Sequence, residues 1–457
     1  MGSLATEQKT IHVLMFPWLA HGHISPYLEL AKRLTKRDFI IHLCSTPANL
    51  SSIKHKIGEK FALSIRLVEL HLPSLPNLPP CYHTTNGLPP DLMPTLKLAF
   101  DMAKPNFFRI LASVKPDLLI YDFLQPWAPL AASRYKIPAV EFITSSLTMT
   151  AYMFHFFMKP KVEFPFETIC YRDYELVHQA KLLAPDDRVR REAFEGVRRS
   201  NRIVLIKGFR EIELKYSDYL SNLLGKKIMP VGPLVQNPSQ EVGSSEIIEW
   251  LDKKDKCSTV FVSFGSEYFL KQEEMEELAH GLELSNVNFI WVVRFPKGKK
   301  ITLKEALPLG FLDRVGQRGM VVDGWAPQAQ ILGHESIGGF VSHCGCSSMM
   351  ESMKFGVPII AMPMHLDQPL NARLVVEIGV GDEVLRNSSG RLEKEEVVAV
   401  IRRVVAEGGR GEVVRKNARA MSEKMTAKGD EEIDEVVKEL VMICSTTKIK
   451  NRNGLFY

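Results

Sequence analysis

Paired cysteines are missing from this chain. Its seven cysteines, at 44, 81, 170, 257, 344, 346 and 444, are odd in number and mostly scattered in apolar context. That excludes the disulfide framework of a small secreted fold and suits free thiols used as small core residues in a reducing cytosol. An apolar run of membrane length is missing too. The greasiest segment, from Pro138 to Met158, is interrupted by Glu141, Thr144, Ser145, Ser146 and His155, and reads as a buried strand followed by a helix. No secretory leader is read either, because MGSLATEQKT is polar and the VLMFPWLA behind it is short and lacks a cleavage-type flank. Neither a Walker A sequence nor a full G-x-G-x-x-G turn occurs, which disfavours P-loop and dinucleotide readings. Asp-x-Asp is absent, so no such acidic pair is on hand to hold a diphosphate through a metal. Basic helices with interleaved aromatics are absent as well. The net charge of +5 is spread along the chain, apart from one basic cluster in the tail KIKNRNGLFY. A solvated surface is expected, and no nucleic-acid partner.

What is present is a repeating texture of apolar run, turn and amphipathic stretch. At 457 residues, 45% hydrophobic and 24% charged, the chain is soluble and globular in composition and too long for one ordinary core. IHVLMFPW (11–18) reads as a strand, SPYLELAKRLTKR (25–37) as a helix and FIIHLCST (39–46) as a second strand; LLIYDF (118–123) and IPAVEFIT (137–144) follow. Such runs are continuous rather than alternating, as parallel strands covered on both faces require. Around residues 230–245 the stretch MPVGPLVQNPSQEVGSSE has the Pro, Gly and polar content of a linker. Beyond it the alternation restarts with STVFVSFGS (258–266), NFIWVVRF (288–295), GMVVDGW (319–325), IGGFVSHCG (337–345) and VPIIAMP (357–363). An α/β fold of two Rossmann-like, doubly wound domains facing a cleft is therefore expected, residues 1–235 and 236–430, with a last helix at about 431–457 that could pack back on the first domain. Ligands of such sheets bind beyond the carboxyl ends of the strands.

Four clusters fall at those ends. HGHIS, with His21 and His23, follows the first strand and places imidazoles before a helix N-terminus. Asp122 ends another strand, and a carboxylate beside His23 would hold one tautomer and stabilise the imidazolium, as a general base needs; a strand-end Asp is otherwise a helix cap. In FGSEY, Gly265 makes a tight turn and Ser266 opens towards an anion, a common feature of α/β turns. The fourth is the stretch from Trp325 to Gln368. Trp325 can stack on a flat base. His343 and Gly345 end a strand that runs into Ser347 and Ser348 at a helix N-terminus, an anion site. Glu351 lies one turn further on the same face, and Asp367 with Gln368 offers polar acceptors for a polyol. Base, phosphates, ribose and sugar each have a candidate.

This 44-residue stretch resembles the donor-binding box of plant secondary-product UDP-sugar glycosyltransferases, family 1, of GT-B fold. The resemblance spans the chain, through PWLAHGHISPYLELAKRL, YHTTNGLPP, LLIYDFLQPWAP, PVGPLVQ, WLDKK, FVSFGSEYF and NFIWVVRFP. These look most like the subgroup that adds a sugar to a sugar already on a terpenoid or flavonoid. The resemblance implies that His23 is the base and Asp122 its partner. It puts Trp325 on the uracil, the Ala326 backbone on the base edge and Gln328 near the ribose. Ser266, His343, Ser347 and Ser348 go to the diphosphate, Glu351 to the ribose, and Asp367 with Gln368 to the sugar hydroxyls, with Gly345 and Cys346 also counted in the donor site. A closing glutamine and Pro26 lean towards a neutral sugar, glucose. The reaction implied is an inverting O-transfer from UDP-glucose, a co-substrate, to a small-molecule glycoside, with no cofactor and no metal, by a cytoplasmic monomer without a membrane span.

Two residues depart from the family pattern. Cys346 stands where tryptophan is usual, so a large indole of the sugar pocket is replaced by a small thiol. Ser347 stands where asparagine is common and can still donate to phosphate. A weakly active enzyme, or one using UDP-xylose, is therefore a rival reading; a non-enzymatic nucleotide-binding or Cys–His metal protein is a more distant one. Cys344 and Cys346 are one residue apart, and zinc spacing has two to four residues between cysteines and a second pair elsewhere. Acceptor contacts are expected from Trp18, His21, Phe123, Trp127 and Thr144, although the aromatics among them could equally be core and His21 structural. The loops at 81–93 and near 150–190 are expected to shape the acceptor pocket.

Overall fold

The computed structural model describes residues 10–177, 187–236, 238, 245–266, 268–295, 301–405 and 408–452. Parts of the expected linker, of the loop near 150–190 and of the basic tail lie outside them. Among the described residues thirteen strands form two sheets, and every pairing within them is parallel. The first sheet contains β1 (Ile11–Phe16), β2 (Phe39–Ser45), β3 (Ile65–Glu69), β4 (Leu118–Asp122), β5 (Ala139–Ile143), β6 (Ile203–Ile206) and β7 (Lys227–Pro230), in the order 3-2-1-4-5-6-7. The second contains β8 (Thr259–Ser263), β9 (Asn288–Val293), β10 (Gly319–Asp323), β11 (Ile337–Ser342), β12 (Ile359–Ala361) and β13 (Gly381–Glu383), in the order 10-9-8-11-12-13. The central strands are buried along nearly their whole length because helices cover both faces. Strands β6, β7 and β13 escape sequence reading because three or four residues are too few to establish a period, and β3 because this edge strand, with Arg66 and Glu69 exposed, lacks a continuous apolar run.

One boundary moves in a way that matters. Ser25 and Pro26 look like a helix cap and first residue, yet the helix runs His21–Thr35 with Pro26 inside it. The Ala20 carbonyl accepts from His23 N at 3.0 Å and from Ile24 N at 2.9 Å, closing an extra first turn. His23 therefore sits on a helix and not in the loop before it.

The helix Glu431–Arg452 buries Ile433, Val436, Leu440 and Ile443 in the same apolar cluster as Val13, Ile41 and Ile120 of the first sheet. Elsewhere the two halves share an apolar cluster, in which Leu147 and Phe154 lie with Met349, Met350 and Leu370, and polar contacts add to it. Ser146 Oγ donates to Asn371 Oδ1 at 2.7 Å, and Asn371 Nδ2 reaches Cys344 O and Asp367 Oδ2, both at 2.9 Å. The Arg373 guanidinium is buried between Glu175, at 2.6 Å, and Glu383, at 2.6 Å.

Glu213, on the helix Arg210–Leu224, anchors the helix Leu147–Met158. Its Oε1 accepts from Thr148 N at 3.0 Å and Thr148 Oγ1 at 2.9 Å. Burial pushes its carboxyl up to about 7, against the opposing pull of the Thr148 hydrogen bonds. The folded state thus holds a proton that the unfolded chain has already lost between the ordinary carboxyl range and about 7. The resulting stability is present at low pH and lost as pH rises through that window. At about 1.4 kcal/mol per unit, a loss of a few kcal/mol is expected between pH ~5 and ~8. Glu213→Gln, which cannot ionise, should show a shallower fall in melting temperature over that range. Parallel falls in the two proteins would refute the assignment.

Candidate active site

A cavity of about 600 Å³ lies between the carboxyl edges of the two sheets and is lined from both. In the first sheet the strand order reverses between β1 and β4, in the second between β8 and β11, and it is beyond such points that doubly wound sheets bind ligands. The segments following these four strands carry most of the residues singled out from sequence.

On the first-sheet side, His23 Nδ1 lies 2.7 Å from Asp122 Oδ2. Asp122 is fully buried at the end of β4. Its Oδ2 also accepts from Trp18 N and its Oδ1 from Leu124 N, each at 3.2 Å. A carboxylate clamped by two backbone donors cannot swing away, so the ring it faces is held as well. Facing this carboxylate, Nδ1 carries the proton and Nε2 the lone pair. Thr144 Oγ1 lies 3.1 Å from the same Nδ1, so Thr144 touches the histidine as well as the cavity. Phe123 tilts over the ring at 5.7 Å between centroids. Trp18 is buried with its edge on the cavity. His21 lines the rim, with Nε2 3.4 Å from Ser52 Oγ. Trp127 is not brought to the cavity: its ring packs on Phe16, Phe100 and Phe107, with Lys104 Nζ 5.3 Å above it. A large aromatic at a helix start found a deeper apolar partner in the cluster behind β4.

Across the cavity, the helix Cys346–Phe355 points its N-terminus inwards, and its first backbone N–H groups lack intrahelical partners. Gly345 precedes it, and His343 lies beside it. A Cβ on Gly265 would come within 2.8 Å of His343 Nε2, and one on Gly345 within 2.5 Å. Gly265 also has φ +76°, so glycine is required there twice over. Burial first, and His365 second, hold the His343 imidazole down at about 4. It is neutral at pH 7, a ring that can donate without carrying charge. Gln328 Nε2 donates to Glu351 Oε2 at 2.5 Å and to Ser348 Oγ at 3.2 Å, tying three expected donor-site residues together. Trp325 is half-exposed at the mouth, with Ala326 buried beneath it, and Ser266 lines the wall after β8.

One expectation changes. Gln368 Oε1 accepts from Met364 N at 3.0 Å and His365 N at 3.1 Å, so its carbonyl holds the loop and only its amide can face a polyol. Asp367, whose carboxyl burial pushes up against the Asn371 hydrogen bond, is left as the acceptor of the pair. Cys344 and Cys346 are both buried, and burial pushes the Cys346 thiol up to about 12 and the Cys344 thiol higher. Among the described residues no group of three or more His, Cys, Asp or Glu could hold a metal ion. No helix there is long and apolar enough to cross a membrane.

Sequence reading missed Lys207. It follows β6, in an apolar run where a lysine looks like a strand end turning to solvent, yet its Nζ donates to Ser347 Oγ at 2.6 Å across the cleft. Arg294, Tyr268 and His365 also line the cavity, and nothing in their local pattern marks them.

The family model "UDP-glucoronosyl and UDP-glucosyl transferase" matches residues 226–435, and "Glycosyltransferase, N-terminal domain" matches residues 9–236. The chain is 54% identical over 446 residues to the beta-D-glucosyl crocetin beta-1,6-glucosyltransferase of Gardenia jasminoides, covering 96% of this chain and 100% of that one. It is 54% identical over 447 residues to a mogroside IIIx synthase of Siraitia grosvenorii, covering 96% and 94%. The Glycyrrhiza uralensis UGT73P12 structure, complexed with glycyrrhetinic acid 3-O-monoglucuronide, superposes with a TM-score of 0.84 at 24% identity over 98% of each chain.

Proposed function

This chain belongs to the UDP-glycosyltransferase family, and from that premise we propose that it transfers glucose from UDP-glucose, with inversion, to a sugar hydroxyl of a plant terpenoid or flavonoid glycoside. It is an enzyme of GT-B fold. In this reading the half up to about residue 235 holds the acceptor and residues 236–430 hold the UDP-sugar. The chain acts as a cytoplasmic monomer. The observation that carries the reading is that a His–Asp pair at 2.7 Å and an anion-ready helix N-terminus face one cavity from opposite halves. The relative whose substrate is already a glucosyl compound supports a sugar acceptor.

His23 Nε2 takes the acceptor hydroxyl proton as that oxygen bonds to the anomeric carbon, and Asp122 stabilises the imidazolium formed. The bond from the anomeric carbon to the UDP oxygen breaks on the opposite face, so the configuration inverts. The charge left on UDP meets the first N–H groups of the helix Cys346–Phe355 together with Ser347, Ser348, His343 and Ser266. Fixed donors aimed at developing charge are usually a large catalytic term. Trp325 takes the uracil, Glu351 with Gln328 the ribose, and Asp367 with the Gln368 amide the glucose hydroxyls. No metal is assigned, because these donors already face the diphosphate.

Purified protein given UDP-glucose and monoglucosyl crocetin, or a flavonoid glucoside, is expected to form a product one hexose heavier, at the same rate with and without EDTA. No UDP-glucose turnover across a panel of such glycosides would sink the proposal. A rate restored only by added divalent metal would remove the metal-free assignment, and faster turnover of UDP-xylose would move the donor.

A further inference from the structure

Lysine side chains are almost never fully buried without a counter-charge, yet Lys207 is 1% exposed. Its backbone N bonds Ile143 O at 2.9 Å, so the residue extends the β5–β6 ladder and its position is set by the first sheet. Its ammonium crosses to the other half and meets Ser347 Oγ at 2.6 Å. Among the described residues no carboxylate forms an ion pair with it. The charge is nonetheless felt in the cavity wall: it pulls the Cys346 thiol and the Asp367 carboxyl down, against the stronger upward push of burial on each.

The chemistry of this contact is one-directional. An ammonium has three donors and no acceptor, whereas a serine hydroxyl has one donor and can accept. Ser347 Oγ must therefore accept from Lys207, and its single proton is turned to another acceptor. Ser347 is the second residue of the helix whose N-terminus faces the cavity. A buried cation with no ion-paired carboxylate among the described residues thus stands one hydroxyl away from an anion-binding turn.

We propose that Lys207 is a positioning residue for the departing diphosphate: it commits the Ser347 hydroxyl to donate to a phosphate oxygen and supplies, from the opposite half, the positive charge that balances the UDP anion. The inference rests on the UDP-sugar reading of the cavity and adds to it a residue outside the donor-binding half. Because the lysine comes from the first sheet, full diphosphate stabilisation requires the two halves to be closed on each other.

Calorimetric titration of the whole protein with UDP and with uridine tests this without an acceptor. Lys207→Met is expected to weaken UDP binding roughly ten- to a hundred-fold, the worth of one charge-assisted hydrogen bond, and to leave uridine binding unchanged. Lys207→Arg should recover part of the loss. Adding Ser347→Ala to Lys207→Met should cost less than Ser347→Ala costs in the wild type, since part of the lysine's effect passes through that hydroxyl. Lys207→Met binding UDP as wild type does, or losing UDP and uridine affinity equally, would overturn the proposal in favour of a structural bridge. Should Lys207→Met fail to fold, Lys207→Gln takes its place with the same expected UDP-selective loss, and wild-type affinity for UDP in that variant would overturn the proposal. Wild-type protein that does not prefer UDP over uridine would overturn the donor-site reading itself, a result distinguishable from both.

Discussion

His23→Ala is expected to lower kcat by roughly 10²–10⁴-fold, the usual worth of a positioned general base, while UDP affinity stays at the wild-type value. The two parts of that result have separate physical origins. His23 is on the first-sheet side and bonds Asp122 and Thr144. The residues proposed to contact the nucleotide directly belong to the second sheet and its helices, where Gln328 bonds Ser348 and Glu351. Removing the imidazole takes away the proton acceptor and leaves the anion site intact. The side chain lies at the cavity wall, so its loss opens space towards solvent rather than a sealed void, and the melting temperature should move little. Turnover of UDP-glucose into glycoside product, followed by mass, and UDP titration on the same sample read both parts. A variant within a few-fold of wild-type turnover would remove His23 from its role.

Asp122→Ala is expected to be as damaging to turnover and, unlike His23→Ala, damaging to the fold. Three donors converge on this carboxylate, Trp18 N and His23 Nδ1 on one oxygen and Leu124 N on the other. Asp122 is fully buried, and each orphaned buried donor costs about 1–3 kcal/mol. Alanine should therefore lower the melting temperature markedly and release the imidazole. Asp122→Asn separates the two effects. Its volume is conserved, but a carboxamide has one oxygen where the carboxylate has two. With the oxygen towards Trp18 and His23, the NH₂ group meets Leu124 N–H. With the amide reversed, His23 is driven to the tautomer that carries its proton on Nε2 and cannot act as a base. Asparagine is accordingly expected to keep most of the stability lost by alanine and still reduce kcat roughly 10²–10⁴-fold. An asparagine variant with nearly wild-type kcat would show that the carboxylate only holds the backbone.

How far these residues can be read without coordinates depends on the range over which their chemistry is set. Continuous apolar runs marked β1, β2, β4, β5 and the central strands of the second sheet, because burial on both faces leaves no polar alternation to confuse them. The donor-side cluster from Trp325 to Gln368 could be read because one strand end, one helix N-terminus and the next strand end are neighbours in sequence as well as in space. The helix start at His21 was misplaced because Ser25–Pro26 mimics a cap, and only the bonds to the Ala20 carbonyl override it. Trp127 stays open between core and acceptor in the sequence because aromatic identity carries no direction, and the cluster behind β4 takes the ring.

The sequence alone therefore determined the composition of the candidate active site: a histidine and an aspartate at strand ends of one half, and glycines, serines and a tryptophan at strand ends of the other. These are local facts, set by which residue follows which strand. Only the tertiary structure decided what each side chain has left to offer. It bonded the Gln368 carbonyl to the backbone, put Thr144 on the histidine, and brought Lys207 140 residues along the chain to Ser347. Hydrogen-bond valences are finite, and how they are spent depends on contacts between elements far apart in sequence, which no local pattern records.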